Sequence, residues 1–205
     1  MPTSTEGRSK TRSRKGSSQA PSFTAPGLSL ETGSRIAGLL QDRLNALTDL
    51  SLTLKHIHWN VVGPHFIGVH TMLDPQVDAV LEMVDQTAER IATLGVAPIG
   101  TPGALVAARS WDDYSIGRAD AITHLGALDQ VYSGVVCAHR LVIDELDELD
   151  PVTQDMVIGQ VQQLELFQWF VRAHLESSGG QLSDAGEDTE RGAAKQAVGA
   201  GRRRG

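Results

Sequence analysis

The chain has little with which to staple itself, cross a bilayer or stack rings. It contains one cysteine, Cys137. A single thiol excludes an internal disulfide framework and a cysteine-built zinc site, and it suits a reducing compartment. Aromatic residues make up 4% of the chain, so the core must come from Leu, Val, Ile and Ala, as is usual in helix bundles. No apolar run approaches the roughly 20 residues of a membrane-spanning helix. The N-terminus carries charge but no apolar stretch of the kind that marks a secretory signal. No membrane partner is therefore expected, and the reading favours the cytoplasm. A P-loop, a Gly-rich dinucleotide turn and a Gly-x-Ser-x-Gly elbow are also missing, which removes the commonest nucleotide and acyl-transfer chemistries.

Charge is present but unevenly placed. Residues 1–27 are rich in Ser, Thr, Pro and Gly and include Arg8, Lys10, Arg12, Arg14 and Lys15. Such a composition cannot bury a core, and a disordered basic N-terminal tail is expected. A second disordered tail is expected over residues 181–205, ending in Arg202-Arg203-Arg204. The first twenty residues carry +4 and residues 181–205 carry +1, against −7 for the whole chain, so −12 falls on residues 21–180. An acidic body with basic arms is an asymmetry that bears on partners.

Between the tails the apolar residues recur at helical spacing. Ile36, Leu39, Leu40, Leu44, Leu47, Leu50 and Leu54 predict a helix from about Glu31 to Val62, ended by Gly63-Pro64. Val69, Leu73, Val77, Val80, Val84 and Ile91 predict a second from Phe66 to Leu94, stopped by Gly95. A long connection follows, with a short helix at Ala104–Arg109. A third helix is expected over Ser115–Leu149 and a fourth from Pro151 to Glu176. Pro at a helix start and Gly after its end are favoured positions. No stretch reads as a strand. The fold class is all-α, a four-helix bundle with a short helix in its long middle crossover over residues 28–180.

The chemistry concentrates between Lys55 and Arg90. This stretch holds His56, His58, His65, His70, Asp74, Asp78, Glu82, Asp85 and Glu89. Imidazole and carboxylate together suit borderline divalent metals such as iron, zinc and manganese. His70 and Asp74 are four apart, as are Asp85 and Glu89, so each pair shares a helix face. Eleven residues separate Asp74 from Asp85, about 16 Å along the axis. Ligand bonds of about 2 Å cannot bridge that distance at one ion. The pairs serve two sites, or they meet across a two-fold axis in an isologous dimer. Pro75, directly after Asp74, removes a backbone donor and can bend the ligand face.

His58-Trp59-Asn60, Gly63, Phe66-Ile67, Val69-His70, Met72-Leu73-Asp74, Asp85 and Glu89-Arg90 together resemble the ferroxidase signature of the Dps family, DNA-binding ferritin-like proteins of starved cells, nearest to its actinobacterial members. The resemblance runs from about Leu28 to Gly180. It implies a ferritin-like subunit in a hollow homo-dodecamer, with iron sites between two-fold-related subunits. His58, His70 and Asp74 would come from one chain and Asp85 and Glu89 from its partner. It further implies oxidation of Fe(II) to Fe(III), with hydrogen peroxide as the oxidant, and ferric mineral stored in the shell. Non-specific DNA binding through the basic tails would place the protein in the cytoplasm and on the nucleoid. The chain has no Glu-x-x-His, the pair that builds di-iron sites inside single bundles, which also favours a site between subunits. The rival reading is a DNA-compacting structural protein with a secondary metal site. A ferritin-like enzyme acting on an organic substrate ranks third.

The remaining residues have plainer readings. His56, His65, His124, His139 and His174 read as core or surface histidines, and Asp78 and Glu82 as a solvated face. Trp59 reads as packing beside the site and Cys137 as core. The acidic run Asp144–Asp150, with Asp155 beyond, reads as a solvated helix end, or, by the family resemblance, as the lining of a cation pore.

Overall fold

The computed structural model describes residues 21–177 and 180–202. It is built from α1 (Leu30–Asn60), β1 (Val61–Val62), α2 (Phe66–Thr93), α3 (Pro102–Ala108), β2 (Ala119–Asp120), α4 (Ala121–Leu146), α5 (Pro151–Leu175) and α6 (Glu190–Arg202). Helices α1 and α2 form one hairpin and α4 and α5 another, and the crossover carrying α3 joins them. The ends are chemically marked. The Ser29 hydroxyl accepts from the Thr32 N–H at 3.0 Å, and an Asp120 carboxylate oxygen accepts from the Thr123 N–H at the same distance. Asp150 caps α5 just before Pro151. Each accepts a backbone N–H that the first helical turn leaves unpaired.

The core is aliphatic, as the scarcity of aromatics requires. One cluster joins Leu47, Leu50, Leu54 and Ile57 of α1 to residues of α2, α4 and α5. A second, at the other end of the bundle, joins Ile36, Leu40 and Leu44 to Ile91, Leu94, Val142 and Val157. Tyr132 is fully buried, and its hydroxyl donates to Gln76 Oε1 at 2.7 Å. Helix α2 runs unbroken through Pro75.

Several expectations need correction. The third bundle helix begins at Ala121, not Ser115, because the preceding segment is held extended from outside. The His56 ring donates from Nε2 to the Ile116 carbonyl at 2.8 Å, and Ala119 pairs in parallel with Val61. That two-residue pairing is also a strand where none was expected. The stretch after Gln181 is not a disordered tail over its described part. Glu176 and Leu182 form a β-bridge, and α6 then packs along α4 with Ala193, Ala194 and Ala197 buried. Gly126 makes this approach possible: a Cβ there would lie 2.9 Å from the Ala193 carbonyl oxygen and 3.0 Å from Ala197 Cβ. At the other terminus, residues 1–20 of the expected tail lie outside the described residues. Residues 21–27 pack on the bundle end, where the Phe23 carbonyl crowds Gly95 so closely that no side chain fits. Cys137 is exposed on α4, not core.

Candidate metal centre

The hairpin turn between α1 and α2 brings two predicted ligands together. His58 lies in the last turn of α1, and His70 lies near the start of α2. Their rings stack with centroids 3.7 Å apart and planes 23° apart. His58 Nδ1 lies 3.0 Å from the His70 carbonyl oxygen, and His70 Nδ1 lies 3.0 Å from the His58 carbonyl oxygen. A carbonyl oxygen only accepts, so both Nδ1 atoms carry the proton and both Nε2 atoms keep a lone pair. This reciprocal bonding fixes the tautomer a metal needs, as outer-shell carbonyls do at known histidine sites.

Asp74 completes the cluster one helical turn beyond His70. The candidate ligand atoms of His58, His70 and Asp74 all lie within 4.8 Å of one another, and no other group of three or more is found among the described residues. Opposite ligands on an ion with bonds of about 2 Å sit about 4 Å apart, so small rotamer adjustments close the set. The Lys55 ammonium donates to Asp74 Oδ1 at 3.1 Å, and His58 Nδ1 approaches the same oxygen at 3.4 Å. The Lys55 hydrogen bond holds the Asp74 carboxyl below its ordinary pKa, with His58, Lys55 and His70 adding their fields and partial burial opposing them.

Asp85 and Glu89 do not join this cluster. They are exposed on α2, about three turns further along. One chain therefore presents three candidate ligands at one point and two carboxylates elsewhere. Lys55 was given no role in the sequence reading, and Phe66 entered it only as part of the family signature. Phe66 packs against His70 with ring centroids 4.8 Å apart, whereas Trp59, expected beside the site, is 73% exposed. Lys55 sits one turn before His58, a spacing that could have flagged it.

Of the other histidines, His65 is exposed at the N-cap of α2 and makes no side-chain cap bond, and the rest hold structure. Tyr114 bonds to Nδ1 of buried His124, and His139 and His174 donate to carbonyls four residues earlier. Asp78 and Glu82 are exposed. The acidic run divides. Asp144, Glu145, Asp147, Glu148 and Asp155 are exposed, but Asp150 is buried, accepts from Thr153 and pairs with Arg90 of α2.

Comparison with known proteins places this geometry. A ferritin-like domain model matches residues 37–178. The DNA protection during starvation protein of Mycolicibacterium smegmatis is 58% identical over 176 residues, covering 86% of this chain and 96% of its relative. The chain belongs to the ferritin-like Dps family. The solved DpsA14 of Streptomyces coelicolor superposes with a TM-score of 0.79 at 63% identity, covering 80% of this Dps chain and 98% of that one. A further relative, from Haemophilus ducreyi, is named a fine tangled pili major subunit and is 51% identical over 159 residues, covering 78% of this chain and 84% of its own. Among the described residues, no helix of this Dps chain is long and apolar enough to cross a membrane.

Proposed function

We propose that this Dps chain is an iron-storing ferroxidase of the cytoplasm, assembled as a homo-dodecamer. Ferrous iron is its substrate. His58, His70 and Asp74 of one subunit receive it, and Asp85 and Glu89 of a two-fold-related subunit complete the site. The observation that carries this reading is the paired, backbone-locked imidazoles beside Asp74. Neutral nitrogen with anionic oxygen accommodates Fe(II) and its harder Fe(III) product. With hydrogen peroxide as oxidant, two ferrous ions give up one electron each, the O–O bond breaks, and two protons are taken up to form two waters. Taking both electrons together avoids releasing hydroxyl radical, and the ferric product is stored in the shell. Changing His58 and His70 together to Ala should slow peroxide-driven iron oxidation by more than the ~10–100-fold that losing a mere outer-shell partner costs, while leaving the shell assembled. Unchanged oxidation by the assembled, metal-free double variant would overturn the assignment.

A DNA-protecting role is compatible with this chemistry, and the division of charge supports it. The −12 body repels DNA, so binding falls to the basic arms, whose contacts are with phosphate and not with sequence.

A further inference from the structure

The two tyrosines of the chain, Tyr114 and Tyr132, bond to partners of different chemistry. The Tyr132 hydroxyl donates to the Gln76 amide oxygen at 2.7 Å. An amide oxygen accepts a hydrogen bond but has too little basicity to take the proton. Tyr114 meets Nδ1 of His124 at 2.9 Å, and an imidazole nitrogen can take the proton outright.

The direction of that bond follows from the surroundings of His124. The ring is fully buried, and burial lowers its pKa, so it is neutral near pH 7. The carbonyls of Asn60 and Gly117 lie near the ring and favour a proton on it. Tyr114 occupies Nδ1, so that proton belongs on Nε2, although Nε2 makes no well-aligned hydrogen bond. Nδ1 therefore presents a lone pair, and the Tyr114 hydroxyl donates to it. Burial, with the Glu190 charge adding to it, raises the phenol pKa, so Tyr114 stays protonated at neutral pH. A phenol held in this way gives up an electron only as its proton leaves, and that proton has 2.9 Å between heavy atoms to cross.

Tyr114 also stands against the helix that carries His58. Its ring lies edge-on to His56, with centroids 5.7 Å apart. His56 and His58 are two residues apart on α1, so they point to nearly opposite sides of one turn. Tyr114 and the histidine cluster thus flank the same helix, whose full diameter is about 10–12 Å. An electron crosses such a gap by tunnelling. A proton does not, and His124 removes the need.

Resting on the ferroxidase reading above, we propose that Tyr114 is an electron donor to the iron site, with His124 Nδ1 as the acceptor of its proton. Donation matters when a site holds a single ferrous ion. That ion and Tyr114 each give one electron to hydrogen peroxide, the O–O bond breaks, and two hydroxides form. The phenolic proton moves to His124, leaving Fe(III), a neutral phenoxyl radical and an imidazolium. A later Fe(II) returns the electron to Tyr114, and His124 returns the proton. Peroxide is thereby reduced by two electrons at a half-filled site, without release of hydroxyl radical.

The test is rapid-freeze electron paramagnetic resonance on full-length protein given less than one Fe(II) per subunit and then hydrogen peroxide. A tyrosyl signal should appear, and it should narrow in protein carrying ring-deuterated tyrosine. Tyr114→Phe keeps the ring and its packing; it should abolish the signal and raise the yield of spin-trapped hydroxyl radical. His124→Gln keeps an acceptor for the hydroxyl but supplies no base. It should cut the radical yield at least ~10-fold, since a positioned base is worth about 10²–10⁴ in rate. A full tyrosyl signal in Tyr114→Phe, an undiminished yield in His124→Gln, or a signal carried only by tryptophan overturns the proposal. Iron oxidised by peroxide with no tyrosyl signal also overturns it and leaves the ferroxidase reading standing. No iron oxidation at all removes both.

Discussion

Acid should unfold this bundle through His139. The ring is fully buried on α4, and Nδ1 donates to the Val135 carbonyl at 2.8 Å. Burial lowers its pKa from 6.5 to about 4; the Arg43 guanidinium adds to the effect and the Val135 hydrogen bond opposes it. In the unfolded chain the same ring titrates near 6.5. Between the two values the unfolded chain holds more protons, so stability is complete above about 6.5 and falls as pH drops through about 4. That gap, about 2.5 pH units at roughly 1.4 kcal/mol each, amounts to about 3 kcal/mol per subunit. The measurement is urea unfolding from pH 8 to pH 4 for the wild type and for His139→Gln, at one protein concentration because assembly shifts midpoints. Carboxylates titrate in both proteins and cancel in the difference. The stability difference, wild type minus variant, should shrink by about 3 kcal/mol between pH 6.5 and 4. Parallel curves, or an NMR titration of folded His139 near 6.5, would refute the reasoning.

Three further outcomes are expected. Asp184 is buried beside Asp129 with both oxygens unpartnered, and burial, then the Asp129 charge, raises its pKa. Its docked segment is most stable below the ordinary value of 3.8 and weakens as pH rises through the elevated one. Asp184→Asn, able to donate to Asp129, should gain roughly 1–3 kcal/mol at neutral pH, seen as slower amide exchange over residues 184–200; faster exchange would count against it. Shells of Asp74→Ala alone and of Glu89→Ala alone should each be inactive, and verified mixed shells should regain iron oxidation. Failure to complement would place all the ligands on one chain. Deleting residues 1–20 should weaken DNA gel shifts and flatten their salt dependence by removing five basic groups per subunit, with iron oxidation unchanged. Equal affinity at every salt concentration would clear the N-terminal arm.

The bundle was legible because its helices bury long aliphatic side chains at a regular interval. Ile36, Leu40, Leu44, Leu47, Leu50 and Leu54 need no tertiary information to announce a buried stripe. His70 and Asp74 were legible for the same reason, a four-residue interval on one helix, and His58 joined them through the family signature. Helix α6 escaped because its buried face is Ala193, Ala194 and Ala197, whose contribution lies in close approach to Gly126 and not in hydrophobic bulk. The late start of α4 escaped because the Ile116 carbonyl is held by His56, sixty residues away. Asp150 hid in an acidic run whose other members are solvated, since its pairing with Arg90 is long-range. Phe66 stood in the family signature, but its packing on His70, like the Lys55 bond to Asp74, became visible only when the hairpin turn set them together.

The reciprocal bonding of His58 and His70 has an evolutionary corollary. Each imidazole is held by the main chain of the other residue and not by the other side chain. Replacing one ring removes a proposed ligand but leaves in place the carbonyl that sets its neighbour's proton. Substitutions at the two positions should therefore be nearly independent in their effect on tautomer and aim, with coupling confined to the lost ring stacking. Such a centre can lose or regain affinity one ligand at a time, so a lineage could retune its metal preference by single steps without first dismantling the pair.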